Sequence, residues 1–333
     1  MADLSSELGK LFIFGFEGKT IPPYLESLIE EGNLGGVILF ERNGETPDDF
    51  RRLTSEIKNG TPSQPLIFID QEGGRITRIR FNSDYHKSAE ELSALGDKDN
   101  FRRSASKVIG DLKSCGIDVN TVPVLDIPSK DNIPVLRGRC YGDNPEDVIR
   151  YSSILMDAYN SGGMLCCAKH FPGLGDVKAD PHYDLPVDDT PITRYYNYKL
   201  LPFIAAIKRS VPIIMTTHIL SKALDDKNPA TLSTKIVDDL LKKELGFDGA
   251  VMTDDLEMGG ITENYSWEEI IIGAIRAGNH LLLICQSKHR QLEAIRILKG
   301  TVERDAEIRH KVEMAIEKIT ALKRDFFIRT NAD

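Results

Sequence analysis

Apolar residues in this chain come in short runs separated by longer, helically spaced segments. The runs cover residues 11–16, 35–40, 65–69, 119–127, 164–168, 212–218, 250–253 and 281–285. Most are apolar on every position rather than alternating, as expected of strands buried on both faces of a parallel sheet. Between them the spacing predicts helices over 23–31, 46 onward, 100–115, 145–160, 195–209, 233–245 and 267–277. Thr46 followed by Pro47 reads as an N-cap with proline in the first turn, and Gly278 as a helix stop. From about residue 287 the pattern is helical to the end. Eight strand–helix alternations predict an α/β fold, a single (β/α)8 TIM-type barrel spanning 1–333, with long active-site loops and extra C-terminal helices.

Polar residues gather where the runs end. Asp70 follows the third run, Lys169 and His170 the fifth, Asp254 and Asp255 the seventh, and His218 closes the sixth. In a barrel these ends share one mouth, where catalytic groups sit. Loops over 75–99, 128–144 and 172–194 would wall a pocket there. The densest stretch is 169–186, KHFPGLGDVKADPHYDLP, which holds Lys169, His170, Asp176, Asp180 and His182. Asp254 is the best candidate for a nucleophile. Its neighbour Asp255 should point elsewhere and cap the next segment. Asp180 and His182 stand two apart, so the carboxylate can hold the imidazole in one tautomer and the pair can give and take a proton. Lys169 and Arg139 supply donors and Asp70 acceptors, which suits a polyhydroxylated ligand. His170 reads equally as a ligand to such a molecule or as a packed strand-end histidine. His218 reads as structural, and His86, His280, His289 and His310 as structural or surface.

Composition narrows the function. The chain is 41% hydrophobic and 28% charged, with a formal net charge of −9. An acidic balance argues against a nucleic-acid partner. The N-terminal segment has acidic residues where a signal peptide needs basic ones, so neither an export signal nor a membrane span is expected. Five cysteines without a C-x-x-C pair suggest free thiols and a cytoplasmic protein. No cluster shows metal-ligand spacing. No cofactor and no obligate protein partner is expected, only a small polyhydroxylated ligand such as a carbohydrate.

Several motifs occur in a fixed order over roughly residues 8–290. They are Asp70-Gln71-Glu72-Gly73-Gly74-Arg75 with Arg78, Pro123-Val124-Leu125-Asp126, Arg139-Cys140-Tyr141-Gly142 and Lys169-His170-Phe171-Pro172-Gly173. Asp180-Pro181-His182, Pro229-Ala230-Thr231-Leu232-Ser233, Gly246-Phe247-Asp248-Gly249 and Asp254-Asp255-Leu256 complete the series. In these the chain resembles glycoside hydrolase family 3, and within it the short bacterial β-N-acetylglucosaminidases of peptidoglycan recycling. The resemblance implies a retaining exo-acting enzyme with a covalent glycosyl intermediate. It implies Asp254 as nucleophile, and His182 supported by Asp180 as acid/base in place of the usual second carboxylate. Asp70, Arg78, Arg139, Lys169 and His170 match positions that hold the terminal sugar. The family's β-glucosidases take an acid from a second domain, for which 333 residues leave no room.

Three positions depart from that branch. Leu174 stands where a histidine is usual, Pro181 where a serine is, and His280 where an aspartate often is. Leu174 should remove a polar contact beside the loop, and Pro181 should stiffen it. Other readings stay open: a family 3 glycosidase or phosphorylase of other specificity, a metal-dependent amidohydrolase barrel, or a non-catalytic sugar-binding barrel. The amidohydrolase reading expects a His-x-His near the first strand, where this chain has Gly15-Phe16-Glu17-Gly18. The segment after residue 300 could cover its own barrel or a partner.

Overall fold

Eight of the apolar runs pair edge to edge, all parallel, and the sheet closes on itself. The computed structural model describes residues 4–330 apart from 60, 62, 82–86, 130–133, 176, 178 and 179, so His86 and Asp176 lie outside the described residues. The strands, in chain order, are β1 (Phe12–Phe14), β2 (Gly36–Leu39), β3 (Leu66–Ile69), β4 (Val119–Asn120), β5 (Leu165–Phe171), β6 (Val187–Asp188), β7 (Ile213–Thr216), β8 (Leu220–Ser221), β9 (Ala250–Asp255) and β10 (Leu281–Ile284). The barrel runs β1-β10-β9-β7-β5-β4-β3-β2, while β6 and β8 form a separate two-stranded parallel pair. Closure is made by β1 against β10, with Phe12 opposite Leu282. The expected (β/α)8 barrel is therefore the fold.

The helices are α1 (Pro23–Glu30), α2 (Pro47–Lys58), α3 (Ala89–Ala94), α4 (Lys98–Ser114), α5 (Pro145–Ser161), α6 (Ile192–Arg194), α7 (Leu201–Lys208), α8 (Gly259–Thr262), α9 (Trp267–Ala277), α10 (Lys288–Arg304) and α11 (Ala306–Thr330). Thr46 caps α2 with Pro47 in its first turn, and α9 ends at Gly278 with φ +106°. Two segments expected as ordinary helices are wound as π-helices, Tyr195–Lys199 and Lys235–Glu244. Ser233 still acts as a cap, its Oγ accepting the Ile236 N–H at 3.2 Å.

Three strand limits differ from expectation, and each difference moves a functional side chain. β4 stops at Asn120 instead of running to 127, because Pro123 has no N–H for a ladder; beyond it only Val124 bridges to Lys169. β5 extends to Phe171, so Lys169 and His170 lie inside the strand. Its register against β7 shifts between Ala168 and Phe171. β9 likewise includes Asp254 and Asp255, with a shift against β10.

The C-terminal segment covers its own barrel. Ile308, Val312, Ala315, Ile316, Ile319 and Phe326 of α11 are buried. Lys318 Nζ donates to the carbonyl of Asp248 (2.7 Å) and Lys323 Nζ to that of Leu34 (3.5 Å), both just ahead of strands. α11 thus floors the N-terminal end and leaves the C-terminal end as the mouth. Among the described residues, no helix is long and apolar enough to cross a membrane.

Candidate active site

Beneath the mouth lies a closed network of charge. Lys169 Nζ reaches Asp70 Oδ1 (3.0 Å), Glu72 Oε1 (2.7 Å) and Thr121 Oγ1 (2.9 Å). The Thr121 hydroxyl in turn donates to Asp70. Arg139 grips Glu72 with two N–H groups, at 2.7 and 2.8 Å. Arg78 spans Asp70 (3.4 Å) and both oxygens of Glu41 (3.0 Å each). Lys169 and Glu72 are each 3% exposed at the side chain. Such burial costs stability unless every partner is present. Here burial works to raise the Glu72 carboxyl, but Arg139 and Lys169 outweigh it and bring it down to about 2. For Asp70, burial is again outweighed, by Lys169 and Arg78, and the carboxyl stays well below its ordinary range. The same anions raise Arg139 and Lys169 against the lowering effect of burial. One donor is left over: Arg78 Nε is buried with no hydrogen-bond partner among the described residues.

His170 continues the network. Its Nδ1 lies 2.6 Å from Asp126 Oδ2, so that nitrogen carries the proton and Nε2 faces Arg139 Nη2 at 3.4 Å. Both nitrogens are thus engaged inside the protein. The other oxygen of Asp126 accepts the Leu174 N–H at 2.6 Å. The Leu174 side chain is 2% exposed, so the position that lacks a histidine is held by its backbone and packs into the core.

The Asp180–His182 pair sits above this floor. Asp180 Oδ1 accepts from His182 Nδ1 at 2.7 Å and from its backbone N–H at 3.0 Å. A carboxylate only accepts, so Nδ1 carries a proton and Nε2 is the nitrogen left to work. The His182 side chain is 54% exposed. Arg75, whose guanidinium donates to the carbonyls of Val135 and Arg137, lies within electrostatic reach of Asp180, Glu72 and Arg139. Its charge therefore couples to both the dyad and the buried network.

Asp254 accepts the Asp255 N–H at 2.8 Å. The Asp255 carboxylate takes the N–H groups of Glu257 (3.1 Å) and Cys285 (3.2 Å), the capping role expected of it. Burial, then the charge of Glu257, push its carboxyl up to about 7. His218 is fully buried between Thr231 Oγ1 (2.8 Å) and the Asp255 carbonyl (2.9 Å). The carbonyl requires an Nε2–H, which steadies the backbone next to Asp254. Burial lowers the His218 pKa, with Asp254 opposing and His182 and His170 adding to the lowering. All three of those side chains thus act electrostatically on one imidazole.

Of the remaining histidines, His280 is buried and its Nδ1 accepts the Val251 N–H at 2.9 Å, a strand-pairing role an aspartate could also fill. His289 and His310 are exposed. Sequence reasoning assigned no role to Glu72, Asp126, Thr121 or Glu41. The first two stand in the quoted motifs, Glu72 two positions after Asp70 and Asp126 one position before the end of the fourth run, so position alone could have raised them. Thr121 and Glu41 carry no such signal.

Comparison with known proteins identifies the family. The profile described as "Glycosyl hydrolase family 3 N terminal domain" matches residues 6–322. Beta-hexosaminidase A of Pseudoalteromonas piscicida is 35% identical over 288 residues, 80% of this chain and 48% of that protein. The beta-hexosaminidase of Alkalilimnicola ehrlichii is 33% identical over 284 residues, covering 84% of this chain and 81% of its own. Among solved structures, a family 3 beta-N-acetylglucosaminidase from Paenibacillus sp. str. FPU-7 superposes with a TM-score of 0.90 at 32% identity, over 99% of this chain and 64% of that one. The chain thus spans about half of the first relative and nearly two thirds of the third. Shared sequence along almost the whole barrel, together with the shared fold, leaves one conclusion: the chain belongs to glycosyl hydrolase family 3.

Proposed function

We propose that this barrel, as one catalytic unit over 1–333, is a retaining exo-β-N-acetylglucosaminidase. Asp254 attacks the anomeric carbon and forms a glycosyl ester. His182, as imidazolium, gives the Nε2 proton to the leaving oxygen; as imidazole it then takes a proton from the water that opens the ester. Asp180 holds the ring's other nitrogen and offsets its positive charge. Asp70, Arg78, Arg139 and Lys169 hold the terminal sugar, with Glu72 fixing Arg139 and Lys169 and His170 contributing by its place against Arg139. The observation that carries the reading is the 2.7 Å Asp180–His182 bond, which leaves a single working nitrogen on an exposed imidazole. The relatives named beta-hexosaminidase and beta-N-acetylglucosaminidase support the sugar class. Muropeptides derived from peptidoglycan are the proposed natural substrates. A cytoplasmic setting suits the five buried free cysteines.

The test is hydrolysis of an aryl β-N-acetylglucosaminide against an aryl β-glucoside, with Asp254→Asn as control. Cleavage of the first alone, reduced on the order of 10⁴-fold or more in the variant, is expected. Early product should be the β-anomer by NMR, and His182→Ala should accumulate a glycosylated peptide containing Asp254. An α-anomer first, or full activity without Asp254, would overturn the mechanism.

A further inference from the structure

The chain between Asp254 and α8 does more than leave the barrel. Five and six residues after Asp254 come Gly259 and Gly260, and the loop carrying the dyad rests on them. The Gly259 N–H donates to the His182 carbonyl at 3.0 Å, and the Gly260 N–H to the Pro181 carbonyl at 2.9 Å. Neither glycine is among those with positive φ, so backbone conformation does not demand glycine at either place. Alanine would favour α8 by up to about 1 kcal/mol at each. Close approach is what demands it. A Cβ on Gly259 would lie 2.8 Å from the His182 carbonyl oxygen and 2.9 Å from that of Tyr183. One on Gly260 would lie 2.6 Å from the carbonyl oxygens of both Pro181 and Asp184. All four are backbone atoms, which cannot swing aside as a side chain would.

The seat itself is firmly tied. The Leu256 N–H donates to the Leu283 carbonyl (2.9 Å), and the Glu257 carboxylate accepts the N–H groups of Gln286 (2.6 Å) and Ser287 (3.1 Å). The Asp255 carboxylate binds Cys285, and His218 holds the Asp255 carbonyl. The dyad segment, by contrast, is a single turn in which the N–H groups of Tyr183 and Asp184 both donate to the Asp180 carbonyl, with the Tyr183 side chain 75% exposed.

We propose that Gly259 and Gly260 are positioning residues, a glycine seat that sets the height of His182 over the reaction centre by tying the dyad turn to the same rigid turn that ends the Asp254 strand. Ordinary van der Waals contact begins near 3.4 Å, so a methyl at either glycine lifts the turn. A misplacement on the order of 1 Å can cost about 10²-fold in rate. The inference rests on the reading of His182 as acid/base, and it concerns proton delivery, not attack by Asp254.

That distinction supplies the test. Activated dinitrophenyl leaving groups need no proton, whereas unsubstituted phenol does. Gly259→Ala, Gly260→Ala and His182→Ala are assayed for kcat/KM on a series of aryl β-N-acetylglucosaminides running between the two. Gly300→Ala, in α10 where a Cβ meets nothing within 4 Å, is the control. The seat variants should lose about 10- to 100-fold with the phenyl glycoside and under about 3-fold with the dinitrophenyl one, following the slope of His182→Ala. Gly259→Ala is the milder insertion and serves if Gly260→Ala fails to fold. A uniform loss across the series, or no loss, while His182→Ala keeps its slope, overturns the seat. A flat series for His182→Ala itself overturns the acid/base assignment instead.

Discussion

The floor of the mouth and the turn above it hold the same kinds of side chain under opposite conditions. On the floor, the side chains of Glu72, Arg139 and Lys169 are buried, Asp70 is partly so, and the four are paired with one another. In the turn, the Asp180 carboxylate takes the ring Nδ1–H and the backbone N–H of His182, and the pair faces water. Buried charges hold their geometry because any loosening strands an ion, which makes them suitable for gripping a substrate. An exposed imidazole can gain and lose a proton without that penalty, which an acid/base must do twice per turnover. The difference separates two kinds of positioning: the floor by mutual attraction, the turn by two carbonyls seated on glycines.

The largest expected break in this contrast is Glu72→Gln. It leaves Arg139 and Lys169 short of a counter-charge and should lower stability by about 3–5 kcal/mol in urea titration, together with activity. A silent Glu72→Gln would mean that the floor is not a closed network. His182→Ala should do the reverse: activity on a phenyl glycoside falls by about 10²–10⁴-fold while stability stays within about 0.5 kcal/mol. Acid separates the regions next. The Glu72 and Asp70 carboxyls are depressed in the folded state, so their stabilisation is present above their unfolded pKa values, near 4, and is lost as pH falls. For Glu72 the loss is complete near about 2. Melting temperatures between pH 4.5 and 2 should fall steeply in the wild type and less so in Glu72→Gln. The smallest effect is at Asp255, raised to about 7 in the folded state. Folding there favours the proton, so stability declines as pH rises from about 4 to about 7. Asp255→Asn should remove that slope, with a gain in melting temperature visible at pH 8 and absent at pH 4.

Much of this was legible from the apolar runs, because a strand buried on both faces announces itself and its end marks the mouth. Asp70, Lys169, His170, His182 and Asp254 were found that way or by motif. What the runs could not display was pairing across distance. Arg139 lies 67 positions from Glu72, and nothing local in either predicts the bidentate grip. The two-residue strands β6 and β8 are too short to carry a period. The π-wound segments keep an apolar face that reads as an ordinary helix. Pro123, visible all along, was the reason to end the fourth strand early.

The floor made by α11 also bears on how the chain reaches its folded state. β1 gains its second neighbour only when β10 arrives, and the turn Leu8–Leu11 is covered by α11. The first strand therefore pairs on one side with β2 alone until nearly the whole chain is available. Closing so long a loop adds little to the equilibrium cost, which grows only with the logarithm of length, but contacts this distant slow the search. Until the barrel shuts, β1 presents a bare strand edge and an apolar underside. The time between making that edge and covering it is when this chain is most open to pairing with another copy of itself.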